Sequence, residues 1–231
     1  MPVPYENIEL LHADDFADFT AWHHEGVGEI APAPGGMRMH CFGSKQGAEG
    51  CMAFFRPTLP DQIAVEYDIT VRSHGGLVIN YLAIRGLHGE DMIDDRAQLP
   101  PRAGVMRDYW AAEKGLQSYH VSFSRFGDDG VHTDTSNWRR NPGLLLIGHG
   151  IDPVQEIGRQ YHIRITKDYG HCQFYADDTF AHAFVDHDAS RPIPDYGKFG
   201  FRLIGSDVAA DIVNFRVYRI NGNPRLWQAA G

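Results

Sequence analysis

Cysteines are scarce in this sequence, and their spacing excludes two kinds of small structural site. The chain has three, Cys41, Cys51 and Cys172, and no two of them form a CxxC pair. An odd number without that spacing argues against a disulfide framework and against a zinc knuckle. Free cysteines are usually buried, so we expect three reduced thiols inside the fold.

Long apolar runs and clusters of basic residues are absent as well. The segment 144–147 is among the longest apolar runs, far short of the roughly 18 residues that indicate a membrane helix. The chain carries 21 Lys and Arg against 30 Asp and Glu, a formal net charge of −9. It lacks the basic patch that is typical of nucleic-acid-binding proteins. We therefore expect neither a membrane nor a nucleic acid as partner.

Targeting and cofactor signals are missing too. The N-terminal segment MPVPYENIELLHADDF has no positively charged start and no apolar core, so we expect no secretory signal and a cytoplasmic location. The sequence has no P-loop and no GxGxxG motif, which argues against a nucleotide cofactor. The histidines show no HxxxH or HExxH spacing, so we expect no metal centre of those types.

Short segments of alternating apolar and polar residues, separated by Gly, Pro and Asp, dominate the chain. They predict eleven strands: Met37–Phe42, Cys51–Arg56, Ala64–Val71, Leu77–Ile84, Tyr119–Phe126, Leu144–Ile147, Tyr161–Lys167, His171–Ala176, Phe180–Val185, Phe199–Ile204 and Ile212–Arg219. Helix signals are weak, and the best is the segment Met106–Gly115, a short surface turn or helix closed by a glycine. Many strands and almost no helix predict one antiparallel β-sandwich domain over residues 1–231. The connection Gly86–Gly115 is long for a compact domain, and such loops are often functional.

Several segments carry a resemblance to known sandwiches. The order of FYADD at 174–178, GKFGFRLIGS at 197–206 and DIVNFRVYRI at 211–220 resembles the end of concanavalin A-like lectin/glucanase domains. The opening segment DDFADFTAW at 14–22 resembles their first strand.

A narrower resemblance lies in the middle of the chain. SYHVSFSR at 118–125, followed by NWRRNP at 137–142, is similar to the YesU-like family of galectin-like proteins. The two resemblances imply a jelly-roll sandwich with a carbohydrate ligand on its concave sheet. The narrower family brings no established catalytic residues to transfer.

The alternation of side chains along the strands indicates which polar residues are candidates to face a ligand on the concave sheet. In the segment 118–126, Tyr119, Val121 and Phe123 form the expected core face, so His120 and Ser122 point the other way. A merely solvated face would show the same pattern.

Other strands offer further candidates for substrate binding. Arg38 and His40 alternate with apolar residues, and Asn80 interrupts an apolar run. A buried Asn requires hydrogen-bond partners, so Asn80 is either a member of a core network or a ligand contact. Arg38 and His40 are equally compatible with an outer convex face.

Aromatic residues in polar segments are candidates for stacking on a sugar. Tyr109 and Trp110 lie in the long connection, and Trp138 lies in the polar segment 134–141, interpreted as a loop. An exposed Trp is unfavourable, so each packs either on the protein or on a ligand. Trp22 and Trp227, near the termini, are expected to serve packing.

Two adjacent arginines, Arg139 and Arg140, follow Asn137 closely. In an acidic protein, arginines beside amides suggest recognition of a carboxylate or sulfate. The alternative is a surface ion pair, which contributes little to stability, with one of three nearby aspartates. These aspartates are Asp128, Asp129 and Asp134.

Two chemistries are compatible with these residues. β-Elimination at a uronic acid requires that the enzyme neutralise the carboxylate, and Asn137 with Arg139 or Arg140 is suited to this role. It also requires proton transfer, to which His120, Tyr119 or Tyr109 is suited. We predict a carbohydrate-active protein acting on an acidic oligo- or polysaccharide, with a lyase leading. One alternative is a non-catalytic lectin-like protein. Another is a structural protein in which a further subunit covers the concave sheet. A homo-oligomer is compatible with each of these functions.

Glycoside hydrolysis and a bound cation are less favoured. Hydrolysis needs two carboxylates that flank the scissile bond. The ExDxxE motif of the glucanase relatives is missing from this sequence. Glu66 and Asp68 alternate along one strand, but a solvated face explains this pattern as well. No cofactor is expected, although the wider resemblance leaves open a structural Ca²⁺ near Asp15 and Asp211.

Overall fold

The computed structural model describes residues 2–44, 48–127 and 129–222. Within these ranges the chain forms strands and three 3₁₀ turns. The strands are β1 (Asn7–Asp14), β2 (Trp22–Gly26), β3 (Gly28–Ala33), β4 (Gly36–Cys41), β5 (Gly50–Phe55), β6 (Ile63–Val71), β7 (Gly76–Gly86), β8 (Leu116–Phe126), β9 (Thr135–Asn141), β10 (Leu145–Ile151), β11 (Gln160–Asp168), β12 (His171–Ala176), β13 (Thr179–Val185), β14 (Lys198–Ile204) and β15 (Val208–Ile220). The turns are Arg96–Gln98, Met106–Tyr109 and Ala112–Lys114.

Two antiparallel sheets form the sandwich. In the described residues, the eight-stranded sheet has the order β13-β12-β11-β6-β15-β4-β3, with β1 also pairing with β15. The seven-stranded sheet has the order β10-β9-β8-β7-β14-β5-β2. The β-sandwich expected from the alternation is therefore confirmed, and each sheet has one face inside the molecule and one outer face.

The core between the sheets is built from one residue parity of each strand. Trp22 of β2 stacks on Phe201 of β14 at 5.3 Å between ring centroids and meets the edge of Phe215 of β15 at 5.1 Å. Tyr67 of β6 crosses between the sheets to donate its hydroxyl hydrogen to Asn80 Oδ1 at 2.5 Å. The three cysteines are free and buried, as expected.

One edge of the sandwich closes through glycines. Gly148 and Gly150 of β10 face β13, where a Cβ added at Gly150 would lie 2.7 Å from the carbonyl oxygen of Ala181. A side chain there would force the two strands apart, so the close approach requires glycine. As a result β10 packs directly on β13, the edge strand of the eight-stranded sheet.

The structure decides one local alternative and corrects one local prediction. The segment Met106–Gly115, expected as a short turn or helix, forms two 3₁₀ turns, the second ended by Gly115 in the left-handed conformation at φ 69°. The segment 134–141, interpreted as a loop because of its polar composition, contains β9. Trp138 in it is fully buried in the core, so its large apolar surface packs on the protein.

Of the two tryptophans expected to serve packing, Trp22 lies in the core. Trp227, like Asp128, lies outside the described residues.

No helix in the described part of the chain is long and apolar enough to span a membrane.

Replacing the central Trp22 with alanine should destabilise the protein strongly. Removing a fully buried Trp creates a cavity, and such substitutions cost about 3–5 kcal/mol. Urea denaturation followed by circular dichroism measures the free energy of unfolding. Leu10→Ala, at a side chain that is 52% exposed, is the control and should cost less than about 0.5 kcal/mol. Equal losses in the two variants would contradict this packing.

Candidate functional site

Cross-strand pairing arranges two rows of side chains on the outer face of the seven-stranded sheet, because directly paired residues share a face. The first row, from β7 to β10, consists of Tyr81, His120, Arg139 and Leu146. The second, from β14 to β10, consists of Arg202, Ile79, Ser122, Asn137 and His149. Sequence alternation correctly assigned His120 and Ser122 to this face.

His120 lies at the centre of the first row and is buried. Its Nδ1 accepts a hydrogen bond from Asn141 Nδ2 at 2.9 Å, and the same amide donates to Ser118 Oγ at 2.9 Å. Burial, followed by the charges of Arg139 and Arg202, lowers the pKa of His120 to about 3. The imidazole is therefore neutral at neutral pH, with its proton on Nε2 as a hydrogen-bond donor.

Arg125 joins this face although strict alternation along β8 would place it on the core side, with Phe123. Ser124 adopts a positive φ of 47°, and this irregularity changes the parity of the strand. Arg125 Nη1 donates to Thr135 Oγ1 at 3.2 Å and, with the Asn137 amide oriented to satisfy both neighbours, to the amide oxygen of Asn137 at 2.7 Å. Burial and the nearby Arg125 lower the pKa of Arg139. Sequence reasoning missed Arg125 because no residue pattern announced the irregularity.

Three arginines on this face lack carboxylate partners among the described residues. Arg125 donates to Thr135, Arg139 Nη1 donates to the carbonyl of Leu144 at 2.7 Å, and Arg202 Nη2 donates to the carbonyls of Ala48 and Gly104 at 3.0 Å each. Uncompensated positive charge is therefore concentrated here, in a protein of net charge −9.

The segment 86–115 divides the face into a covered half and an open half. Met92, Leu99 and Tyr109 pack with Met52 and Phe54 in a second apolar cluster, separate from the core between the sheets. This cluster covers the side of the face formed by β2, β5 and β14. The half formed by β9 and β10 stays open, with Leu146 55% exposed, whereas His120 and Ser122 of β8, at its border, are 1% and 6% exposed.

A buried ion pair fastens the segment to the sheet. Arg102 donates through Nε and Nη2 to the two carboxylate oxygens of Glu25 at 3.0 and 2.6 Å. Tyr109 donates its hydroxyl hydrogen to the same carboxylate at 2.7 Å. Burial raises the pKa of Glu25, but the hydrogen bonds and charge of Arg102 outweigh it, so that the pKa is lowered. The Tyr109 hydroxyl is thus engaged in a structural contact.

Four residues chosen from the sequence point away from this face. Tyr119 and Arg140 both bond to the carboxylate of Asp186 between the sheets, and Asn80 and Trp138 are fully buried in the interior. Their strand parity is opposite to that of His120 and Arg139, so they cannot reach a ligand on the outer face.

Arg38 and His40 lie on a different surface. They belong to β4, on the outer face of the eight-stranded sheet, where Arg38 pairs with Asp211 at 2.6 Å. Arg72 takes the second carboxylate oxygen of Asp211, so the residues present do not fit the Ca²⁺ site considered near Asp15 and Asp211. In the described ranges no group of three or more His, Cys, Asp or Glu side chains is arranged to hold a metal ion.

Trp110 lies at the end of the open half. It is partly buried, and its backbone carbonyl accepts a hydrogen bond from the amide of Gly143 at 2.7 Å. This contact places it beside the turn that joins β9 to β10. Its contact with a ligand remains a prediction.

The fold and the face define a galectin-like β-sandwich with a polar, arginine-rich outer surface on one sheet. The chain belongs to the family described as Domain of unknown function (DUF1961), which matches residues 5–217. The YesU-like resemblance inferred from the central motifs is thereby confirmed.

Comparisons with individual proteins agree with this assignment. The chain is 26% identical over 193 residues to the uncharacterized protein YesU of Bacillus subtilis (strain 168), covering 80% of this chain and 84% of that protein. A Bacillus subtilis protein of unknown function with a galectin-like fold superimposes with a TM-score of 0.85 at 22% identity, over 95% of this chain and all of that one. The carbohydrate-binding module CBM66 from Bacillus subtilis superimposes with a TM-score of 0.56 at 14% identity, over 87% and 97% of the two chains.

The neutral state of His120 predicts a pH dependence of stability. Because the folded pKa lies below the ordinary value of 6.5, the unfolded chain binds the proton first. The contribution of His120 is therefore complete above about pH 6.5 and is lost as the pH falls towards 3. In urea denaturation, His120→Gln should reduce the slope of stability against pH in this window, by up to about 1.4 kcal/mol per unit.

The lowered pKa of His120 can also be measured directly in the folded protein. Nuclear magnetic resonance of the labelled imidazole, assigned through His120→Gln, should show no protonation of His120 between pH 8 and pH 5. A titration midpoint near the ordinary value would contradict the burial of this ring between two arginines.

Proposed function

We propose that this protein binds an acidic, uronate-containing oligosaccharide on the open half of the outer face of the seven-stranded sheet. The observation that carries the proposal is that, among the described residues, Arg139 beside the neutral His120 and Arg125 beside Asn137 have no carboxylate partner. A guanidinium fork matches a carboxylate in geometry and charge, so a uronate is the sugar that such a face would select.

The other side chains of the open half suit the rest of a sugar. The partly exposed amide of Asn137 offers a donor and an acceptor for ring hydroxyls. The Nε2 hydrogen of His120 and the hydroxyl of Ser122 lie buried at the border of the open half, beneath this amide and Arg139. Leu146, beside Arg139, offers an exposed apolar side chain for the C–H face of a ring. The carbohydrate-binding module that shares this fold supports a sugar as the ligand class.

The geometry favours binding over β-elimination. A general base works best with a pKa near the working pH, whereas His120 has a pKa of about 3. Tyr119 points into the interior and the Tyr109 hydroxyl is held by Glu25. The residues assigned to proton transfer are therefore either poorly matched or engaged elsewhere, and a lectin-like function fits them better than a lyase.

Arg139→Met should weaken the binding of trigalacturonate, measured by titration calorimetry, about tenfold to hundredfold, because a charge-assisted hydrogen bond is lost. Arg38→Met, which removes an arginine from the outer face of the other sheet, is the matched control and should bind like the wild type. Binding of trigalacturonate that is equal in all three proteins would contradict the location of the site. Absence of binding to the wild type would contradict the function.

Incubation with polygalacturonate should give no unsaturated product absorbing in the ultraviolet, because none of the three residues assigned to proton transfer, His120, Tyr119 and Tyr109, is suited as a base facing the ligand. Such a product, if it formed with the wild type and was lost in His120→Ala, would overturn the non-catalytic assignment in favour of a lyase.

A further inference from the structure

Six residues of β9 and β10 form an accessible strip on the outer face of the seven-stranded sheet. They are three directly paired couples, which share a face: Thr135 with Ile151, Asn137 with His149, and Arg139 with Leu146. All six residues are exposed or partly exposed, whereas His120 and Ser122 on the neighbouring β8 are buried. A ligand therefore reaches this β9–β10 strip without any change in the fold.

An arginine lies at each end of the strip. Arg139 is part of it, and its Nη1 donates to the carbonyl of Leu144 at 2.7 Å. Arg125 reaches the other end from β8, where its Nη1 donates to Thr135 Oγ1 at 3.2 Å and to the amide oxygen of Asn137 at 2.7 Å. In the part of the chain that the structure describes, neither arginine uses Nε or Nη2 in a hydrogen bond, and both residues are partly exposed. These donors are available to a ligand.

The buried carboxylate of Asp152 lies close to Arg125 but is engaged elsewhere. Its Oδ2 accepts a hydrogen bond from the backbone amide of Arg125 at 3.1 Å and lies 3.1 Å from His132 Nε2. Within the described ranges it forms no ion pair with the Arg125 guanidinium. Burial and, after it, the charge of Arg125 lower the pKa of Arg139. The two positive charges therefore repel each other, and an anionic ligand that bound both would remove this repulsion.

The two guanidinium groups are directed to opposite ends of the strip. Leu144, the acceptor for Arg139, lies in the turn after β9, whereas Thr135, an acceptor for Arg125, is the first residue of β9. Four positions of an extended strand separate the backbones of Thr135 and Arg139, about 14 Å. One carboxylate is too small to bridge this distance, so compensation of both charges needs two.

The middle of the strip suits the part of a sugar chain that joins two carboxylates. The amide of Asn137 and the exposed imidazole of His149 offer partners for hydroxyl groups. Leu146 and Ile151, which are 55% and 53% exposed, offer aliphatic contacts for the C–H faces of sugar rings.

We propose that the ligand is an oligosaccharide with at least two uronate rings that lies along β9, with one carboxylate on Arg139 and another on Arg125. This inference rests on the proposed function, to which it adds a second carboxylate contact and a direction for the bound chain. A single uronate on Arg139 would leave the charge of Arg125 uncompensated.

Titration calorimetry with monogalacturonate and trigalacturonate tests this arrangement. Arg125→Met should weaken trigalacturonate binding about tenfold, because a charge-assisted hydrogen bond is lost. It should change monogalacturonate binding less than about twofold, because the single carboxylate binds Arg139. Arg125→Lys, which keeps the charge but not the planar fork, should recover part of the loss. Arg38→Met, on the other sheet, is again the matched control.

The double variant Arg125→Met/Arg139→Met shows whether the two arginines bind different carboxylates. If they do, the losses of trigalacturonate affinity in the two single variants should multiply, because the free energies of independent contacts add. A double variant that binds like one of the single variants would show that both arginines hold the same carboxylate, and would overturn the inference.

The outcomes separate this inference from the proposed function. If Arg125→Met binds trigalacturonate as tightly as the wild type, or weakens both ligands equally, the second contact is wrong while uronate binding stands. If the wild type binds neither ligand, the proposed function itself fails.

A comparison of ligands on the wild type covers the case in which Arg125→Met fails to fold by circular dichroism. Trigalacturonate should bind about tenfold or more tightly than monogalacturonate, because two linked contacts reinforce each other. Full methyl esterification of the trimer should remove this advantage. Equal affinities for the two free acids would overturn the second carboxylate contact.

Discussion

The candidate site depends on arginines whose positive charge has no carboxylate beside it in the described part of the chain. They contrast with buried arginines that are paired with a carboxylate. Arg102 and Arg140 are buried against Glu25 and Asp186, where they fasten a loop and the end of the sandwich. Arg125, Arg139 and Arg202 share the outer face of the seven-stranded sheet and have no such partner within the ranges the structure describes. The carboxylates of the fold neutralise the charges of Arg102 and Arg140. The charges of the other three arginines are not neutralised in this way, and an anionic ligand on the open half would compensate those of Arg125 and Arg139.

The segment 86–115 converts a broad sheet face into a bounded site. Its apolar residues cover β2, β5 and β14, and its contact with Glu25 holds it there. The same contact engages the hydroxyl of Tyr109 and so gives it a structural role. The long connection noticed in the sequence therefore shapes the face, and the open half, with His120 at its border, is what remains for a ligand.

Strand parity explains which candidate residues converge and which do not. His120 and Ser122 were assigned to the outer face from alternation alone, and they lie there. The pair Arg139–Arg140 was treated as one fork because its segment was interpreted as a loop. In a strand, adjacent side chains point to opposite faces, so Arg139 reaches the outer face while Arg140 enters the interior.

The sequence by itself determined the antiparallel sandwich, most of its strands and the family, because alternation and local motifs are properties of neighbouring residues. It also determined that His120 faces away from the core. Only the tertiary structure decided which sheet each strand joins, which moves Arg38 and His40 to the far surface, brings the charge of Arg202 near His120 and places Arg125 beside Asn137. Partners of a buried charge come from distant parts of the chain, so no local pattern reveals which arginines remain uncompensated.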